Sequence, residues 1–119
     1  MRTARMYLYN KMETIKRRKP VDVTLDELME VYDAQEGRCA VTGVTMTHQA
    51  DSPQTNISID QIRPGQGYTK SNIRLVCAAV NYMKHRMSDE ELVWWCKEVI
   101  RGVQRTSRGQ REARLRKPS

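Results

Sequence analysis

The sequence predicts an α+β protein, mainly helical, with a small β-hairpin–helix core. Three observations carry that prediction. Two capping boxes, Thr24-Leu25-Asp26-Glu27 and Ser88-Asp89-Glu90-Glu91, each open an apolar-periodic stretch and so announce helices. Between them, Ile57-Ser58-Ile59-Asp60-Gln61-Ile62 alternates apolar with polar residues, the period of a half-buried strand. A second short apolar run, Ile73-Arg74-Leu75-Val76-Cys77, follows a Pro64-Gly65-Gln66-Gly67 loop and leads into a helical pattern from Ala78 to Arg86.

Taken in order, residues 3–18 read as a helix with Met6, Tyr9 and Ile15 among its apolar positions and a strongly basic last turn, stopped by Pro20. Thr24 caps a helix running to about Gln35, with Leu25, Leu28, Met29 and Tyr32 on one face and Gly37 as its stop. Val80, Met83 and Met87 recur at helical spacing after the second strand. The helix opened by Ser88 contains Leu92, Trp95, Val99 and Ile100, and its Trp pair and Cys96 read as core packing. Residues 103–119, poor in large apolar side chains, read as a flexible arm or a helix formed on binding. The organisation expected is thus a basic N-terminal helix over 1–19, a central domain over 20–102 and a basic C-terminal arm over 103–119.

The 119 residues fall in the size range of one domain. There is no Phe, so the core relies on aliphatic residues and the seven Met, which adapt to irregular gaps. No apolar run approaches a membrane span, and no signal-peptide pattern follows the charged N-terminus, so a cytoplasmic setting in a bacterial host is expected. Three widely spaced Cys (39, 77 and 96), with no C-x-x-C, argue against a disulfide scaffold and a zinc finger.

The net charge of +7 is unevenly placed. Residues 1–19 and 101–119 each carry a net of +6, whereas residues 20–100 carry −5. Basic blocks of this kind bind polyanions, because each phosphate neutralised releases condensed counterions. DNA is the expected partner and a membrane is not; oligomeric state is left open.

Chemistry points to the hairpin and its helix. Asp60 ends a strand, Asn72 sits in the loop, and Asn81 and His85 lie four apart on the next helix, hence on one face. A carboxylate, an amide oxygen and an imidazole converging there suit Mg²⁺ beside a phosphate; the plainer alternative has Asp60 and Asn72 holding turn backbone.

The stretch from Ile57 to Lys84, ISIDQIRPGQGYTKSNIRLVCAAVNYMK, resembles the core of HNH nucleases: a strand ending in Asp-His, a Gly-containing loop, an Asn, an apolar strand, then a helix bearing Asn-x-x-Lys. Gly37-Arg38-Cys39-Ala40-Val41-Thr42-Gly43 is similar to the segment before that core in small phage and bacterial members, and the likeness covers roughly residues 5–100. It implies a ββα-metal fold holding one Mg²⁺ or Mn²⁺ against a scissile DNA phosphate. By position, Asp60 and Asn81 would be metal ligands, His85 an additional one, and Asn72 a brace for the loop. Lys70, Arg74 and Lys84 would lie near backbone phosphates, with Arg17, Arg18, Lys19, Arg105 and Arg108 as further nucleic-acid contacts from the basic ends.

Two departures qualify the likeness. Where the family has its general-base His, this chain has Gln61, an amide that orients water but has no suitable pKa to deprotonate it. Thr42 and Val80 stand where zinc-bearing members complete their C-x-x-C pairs, so no structural zinc is expected. His48 and Tyr68 are the remaining candidates to reach the site. The expectation is therefore a metal-dependent endonuclease with a non-standard or lost base. The alternative is an inactive HNH scaffold that binds DNA, or a phage factor acting on a host protein.

Overall fold

The computed structural model describes residues 3–115, with side chains as far as 109. Its contacts divide the chain into two compact units, residues 1–88 and 89–119. The class is α+β, with helices α1 (Ala4–Lys16), α2 (Leu25–Ala34), α3 (Ala78–Lys84) and α4 (Asp89–Leu115). The strands are β1 (Val21–Asp22), β2 (Ile57–Gln61), β3 (Tyr68–Thr69) and β4 (Ile73–Cys77), and a 3-10 turn at Lys70–Asn72 precedes β4. No described helix is long and apolar enough to cross a membrane.

The first unit is built on an antiparallel β2–β4 pair in register Ile57↔Cys77 through Asp60↔Arg74 to Gln61↔Ile73. β1 and β3 form a separate two-residue parallel ladder, too short to leave a periodic trace in the sequence. The core lies on the pair: Ile57, Ile59, Ile73, Leu75, Val76 and Val80 are buried together with Leu8, Met12 and Leu28.

Helix starts follow the local chemistry. The Thr3 hydroxyl accepts from the Met6 N–H to cap α1. At α2 the box is complete: Thr24 Oγ1 accepts from Glu27 N–H at 3.1 Å, and Glu27 Oε1 accepts from Thr24 N–H at 3.0 Å. The Thr24 backbone N–H bond first, the Thr24 hydroxyl and the nearby Lys70 all hold the Glu27 carboxyl below its ordinary value against burial. α2 ends through Glu36 and Gly37, both at positive φ, and a Cβ at Gly37 would stand 3.1 Å from the Tyr32 hydroxyl.

Two helical readings need correction. On α1 the buried residues are Tyr7, Leu8 and Met12, while Met6 and Tyr9 face solvent on the far side of the helix. α3 stops at Lys84, because His85 takes φ +48°, a conformation that costs a non-glycine residue energy.

The second unit is α4. It runs without interruption through Gly102 to Leu115, so the described part of the expected arm is helical; residues 116–119 lie outside the described residues. Arg and Gln are good helix formers and let the helix propagate from its acidic first turn. Trp94 and Trp95 touch edge to face at 4.8 Å and are both more than half exposed, so the expected core packing of the Trp pair is corrected. A single helix has no interior of its own in which to bury an apolar face.

Candidate functional site: a buried ion triad beneath an open cavity

Strand alternation sends Ser58 and Asp60 to one face of β2, and α3 lies across it. Asn81 and Lys84, three apart on α3, both point down onto that face. Asn81 Nδ2 donates to Ser58 Oγ at 2.6 Å, and Lys84 Nζ reaches Asp60 Oδ2 at 2.9 Å and Oδ1 at 3.2 Å. The same ammonium donates to the carbonyls of Gln61 at 2.7 Å and Ile62 at 3.1 Å. Arg74, the cross-strand neighbour of Asp60, completes the set with Nε 2.9 Å from Oδ2.

Asp60 is 3% exposed and Lys84 0%. A Lys is almost never fully buried unless paired, and here one carboxylate and two carbonyls receive it. Lys84 and Arg74 therefore do not stand ready for backbone phosphates, as the resemblance would have them; both are bonded to Asp60. Lys70 also has local partners, with Nζ 2.9 Å from Glu30 and 4.0 Å from Glu27. The hydrogen bond and charge of Glu30, then Glu27, raise its pKa.

The loop between the strands is held from both ends. Asn72, 2% exposed, accepts from Arg63 N–H and donates to the carbonyls of Arg63 and Gly67. Gln61 Oε1 accepts from the N–H groups of Gly65 and Gly67, each at 3.0 Å. Both glycines have positive φ, the conformation that lets their amides converge on one oxygen. The Gln61 side-chain oxygen is thus engaged by the loop backbone and helps to close the loop.

Beside Asp60 opens a cavity of about 540 Å³, lined by Asp60 itself and by Lys19, Gln61, Tyr68, Asn81, His85 and Arg86. Asp60, Asn81 and His85 thus line the same cavity, but not as a metal shell: Asp60 carries two cationic partners, Asn81 is bonded to Ser58, and His85 has left the helix face. Among the described residues no three His, Cys, Asp or Glu side chains cluster to hold a metal ion. A divalent ion would have to enter beside an ammonium and a guanidinium already on the carboxylate, so this arrangement does not fit one.

No family model matches the chain, and no matching curated protein or solved structure was found.

Of the other expected contacts, Arg17, Arg18 and Lys19 are exposed just beyond α1, and Lys19 lines the cavity. Arg105 and Arg108 are exposed on α4. Tyr68 reaches the cavity; His48 is not part of its lining. Arg86 has no motif to announce it. The one available signal was its position directly after the expected ligand His85.

Cys39 and Cys77 meet in the core. The Cys77 N–H donates to Cys39 Sγ at 3.3 Å, and both residues are buried. Burial alone would raise the Cys39 thiol, but hydrogen bonds from the Thr42 side chain and from the backbone at Cys77, Thr42 and Val41 outweigh it and lower the pKa. Burial, reinforced by the neighbouring Cys39, pushes Cys77 up to about 11.

Proposed function

We propose that the chain is a DNA-binding protein on an HNH-like scaffold, one that grips the phosphate backbone without hydrolysing it. The observation that carries this reading is the state of Asp60, buried and bonded to Lys84 and Arg74. Metal-dependent phosphodiester hydrolysis needs a carboxylate open to the ion and a base to take the proton from water. Here the carboxylate holds α3 onto the hairpin, and an amide occupies the base position.

What remains suits an anion. Lys19 and Arg86 line the cavity, the exposed Arg17 and Arg18 adjoin it in sequence, and residues 1–19 carry a net charge of +6. Four phosphate contacts from these residues would give a salt slope of roughly −3 to −4 in log–log form.

A second reading, a metal-dependent endonuclease using Mg²⁺ or Mn²⁺, keeps one observation in its favour: Asp60, Asn81 and His85 do line the same cavity. Fluorescence anisotropy with a labelled duplex, run in EDTA and in Mg²⁺ over a salt series, separates the two. A binder has the same affinity in both, loses it steeply with salt, and is weakened by Lys19→Glu and Arg86→Glu. No binding at low salt would refute DNA binding, affinity indifferent to salt and to both substitutions would refute the phosphate grip by Lys19 and Arg86, and Mg²⁺-dependent nicking of a plasmid abolished by Asp60→Asn would favour the nuclease.

A further inference from the structure

Cys39 and Cys77, 38 positions apart in the chain, meet in the first unit as free thiols. They are 3% and 4% exposed, and the Cys77 N–H donates to Cys39 Sγ at 3.3 Å. The two side chains also hydrogen-bond each other. Backbone contacts fix the approach: the Ala40 N–H donates to the Leu75 carbonyl at 3.0 Å, and the Gly43 N–H donates to the Cys39 carbonyl at 2.9 Å. Cys39 leads directly into an exposed stretch, residues 40–45, so it lies at the edge of the core and not at its centre.

The surroundings make the two sulfurs unlike. Burial opposes a charge on Cys39, but the Thr42 side chain and the N–H groups of Cys77, Thr42 and Val41 outweigh it and favour the thiolate. Cys77 is kept protonated, by burial first and then by the charge and hydrogen bond of Cys39. A thiolate with a protonated thiol beside it is the arrangement of an attacking and a resolving cysteine.

We propose that Cys39 and Cys77 are an oxidisable pair, which a peroxide converts from two thiols to one disulfide. The Cys39 thiolate attacks one peroxide oxygen and the O–O bond breaks. Its sulfur becomes a sulfenic acid, and the departing hydroxide takes up the proton that the thiol released, giving water. The Cys77 sulfur then attacks the sulfenic sulfur, its proton passes to the leaving hydroxyl, and a second water departs. Two thiols and one hydrogen peroxide become one disulfide and two waters, sulfur being oxidised and peroxide reduced. Cys77 is the residue from which α3 starts, so the bond ties that helix start to the exposed stretch after Cys39. The pair is independent of what the cavity binds.

Hydrogen peroxide added to the folded full-length chain, followed by alkylation in urea and peptide mapping by mass spectrometry, tests the proposal without any substitution. The expected result is a linked peptide joining Cys39 to Cys77, with the loss of two of the three free thiols and their return on adding dithiothreitol. Oxidation in urea, where the native contacts are gone, is expected to give all three pairings instead. In Cys77→Ser, Cys39 is expected to stop at the sulfenic acid and to be labelled by dimedone. In Cys39→Ser, Cys77 is expected to take no label. Cys39 and Cys77 that both stay free in the folded chain, at a peroxide dose that oxidises the chain in urea, overturn the proposal. A folded-state product that links either of them to Cys96, or the same mixture of pairings as in urea, overturns it equally.

Discussion

Replacing Lys84 by Met keeps the length of the buried stem and removes only the ammonium, so it isolates the ion triad. Lys84 Nζ makes four contacts of 2.7–3.2 Å, two to Asp60 and two to the carbonyls of Gln61 and Ile62. Removing one partner of a buried pair costs about 3–5 kcal/mol, because the other charge is left uncompensated. Arg74 stays on Asp60 Oδ2 and holds the loss toward the low end of that range, while the two carbonyls that lose a donor add to it. We expect a loss of about 3–4 kcal/mol, a large share of the roughly 5–15 kcal/mol that stabilises a domain. Urea unfolding followed by circular dichroism measures it. Asp60→Asn combined with Lys84→Met should restore part of the loss, with a coupling of about 1–3 kcal/mol between the sites. A loss below about 1 kcal/mol, or strict additivity, would refute the argument that Asp60 serves the fold. Were Asp60 instead held open for a divalent ion, Asp60→Asn would relieve charge and raise stability; with Lys84 and Arg74 bonded to it, we expect the substitution to lower stability.

Three further outcomes follow from particular contacts. Asn72→Ala removes three bonds that close the loop and should cost about 2–3 kcal/mol in the same assay, with the loop amides of Gly65 and Gly67 exchanging faster in hydrogen-exchange measurements. Thr24→Ala breaks the complete capping box of α2 and should cost about 1 kcal/mol, read as a shifted urea midpoint with an unchanged slope. Cys77 stays protonated in the folded chain up to about pH 11 against an ordinary thiol value of 9.0, so the unfolded chain releases its proton first as pH rises. Stability should therefore fall between those values by about 2–3 kcal/mol more in wild type than in Cys77→Ala, whereas the lowered Cys39 acts in the opposite sense, its contribution present above the unfolded value and lost as pH falls through the folded one.

Much of the fold was legible because its signals are local. The Thr24 box, the alternation through Ile57–Gln61 and the stop at Gly37 each depend on residues within one turn or one strand, and each lies where the sequence places it. The candidate site was legible only in position. Asp60, Gln61, Asn81 and His85 do line one cavity, but the roles of two of them are set by partners that no local pattern reveals. Lys84 lies 24 residues from Asp60, and at an i+3 position from Asn81 it reads as an exposed cation; only the packing of α3 on β2 turns it inward. Gln35, whose side-chain amide bonds both the N–H and the carbonyl of Leu75 forty residues away, was equally hidden. On α4 the sequence shows which residues share a stripe, but periodicity alone does not say what the stripe meets.

Lys84 and Arg74, the protein's own cations, already satisfy Asp60. Titration calorimetry with Mn²⁺, on the wild-type chain and on Asp60→Asn, measures this most directly. We expect no saturable site in either protein. A stoichiometric Mn²⁺ site in the wild type that disappears in Asp60→Asn would contradict it.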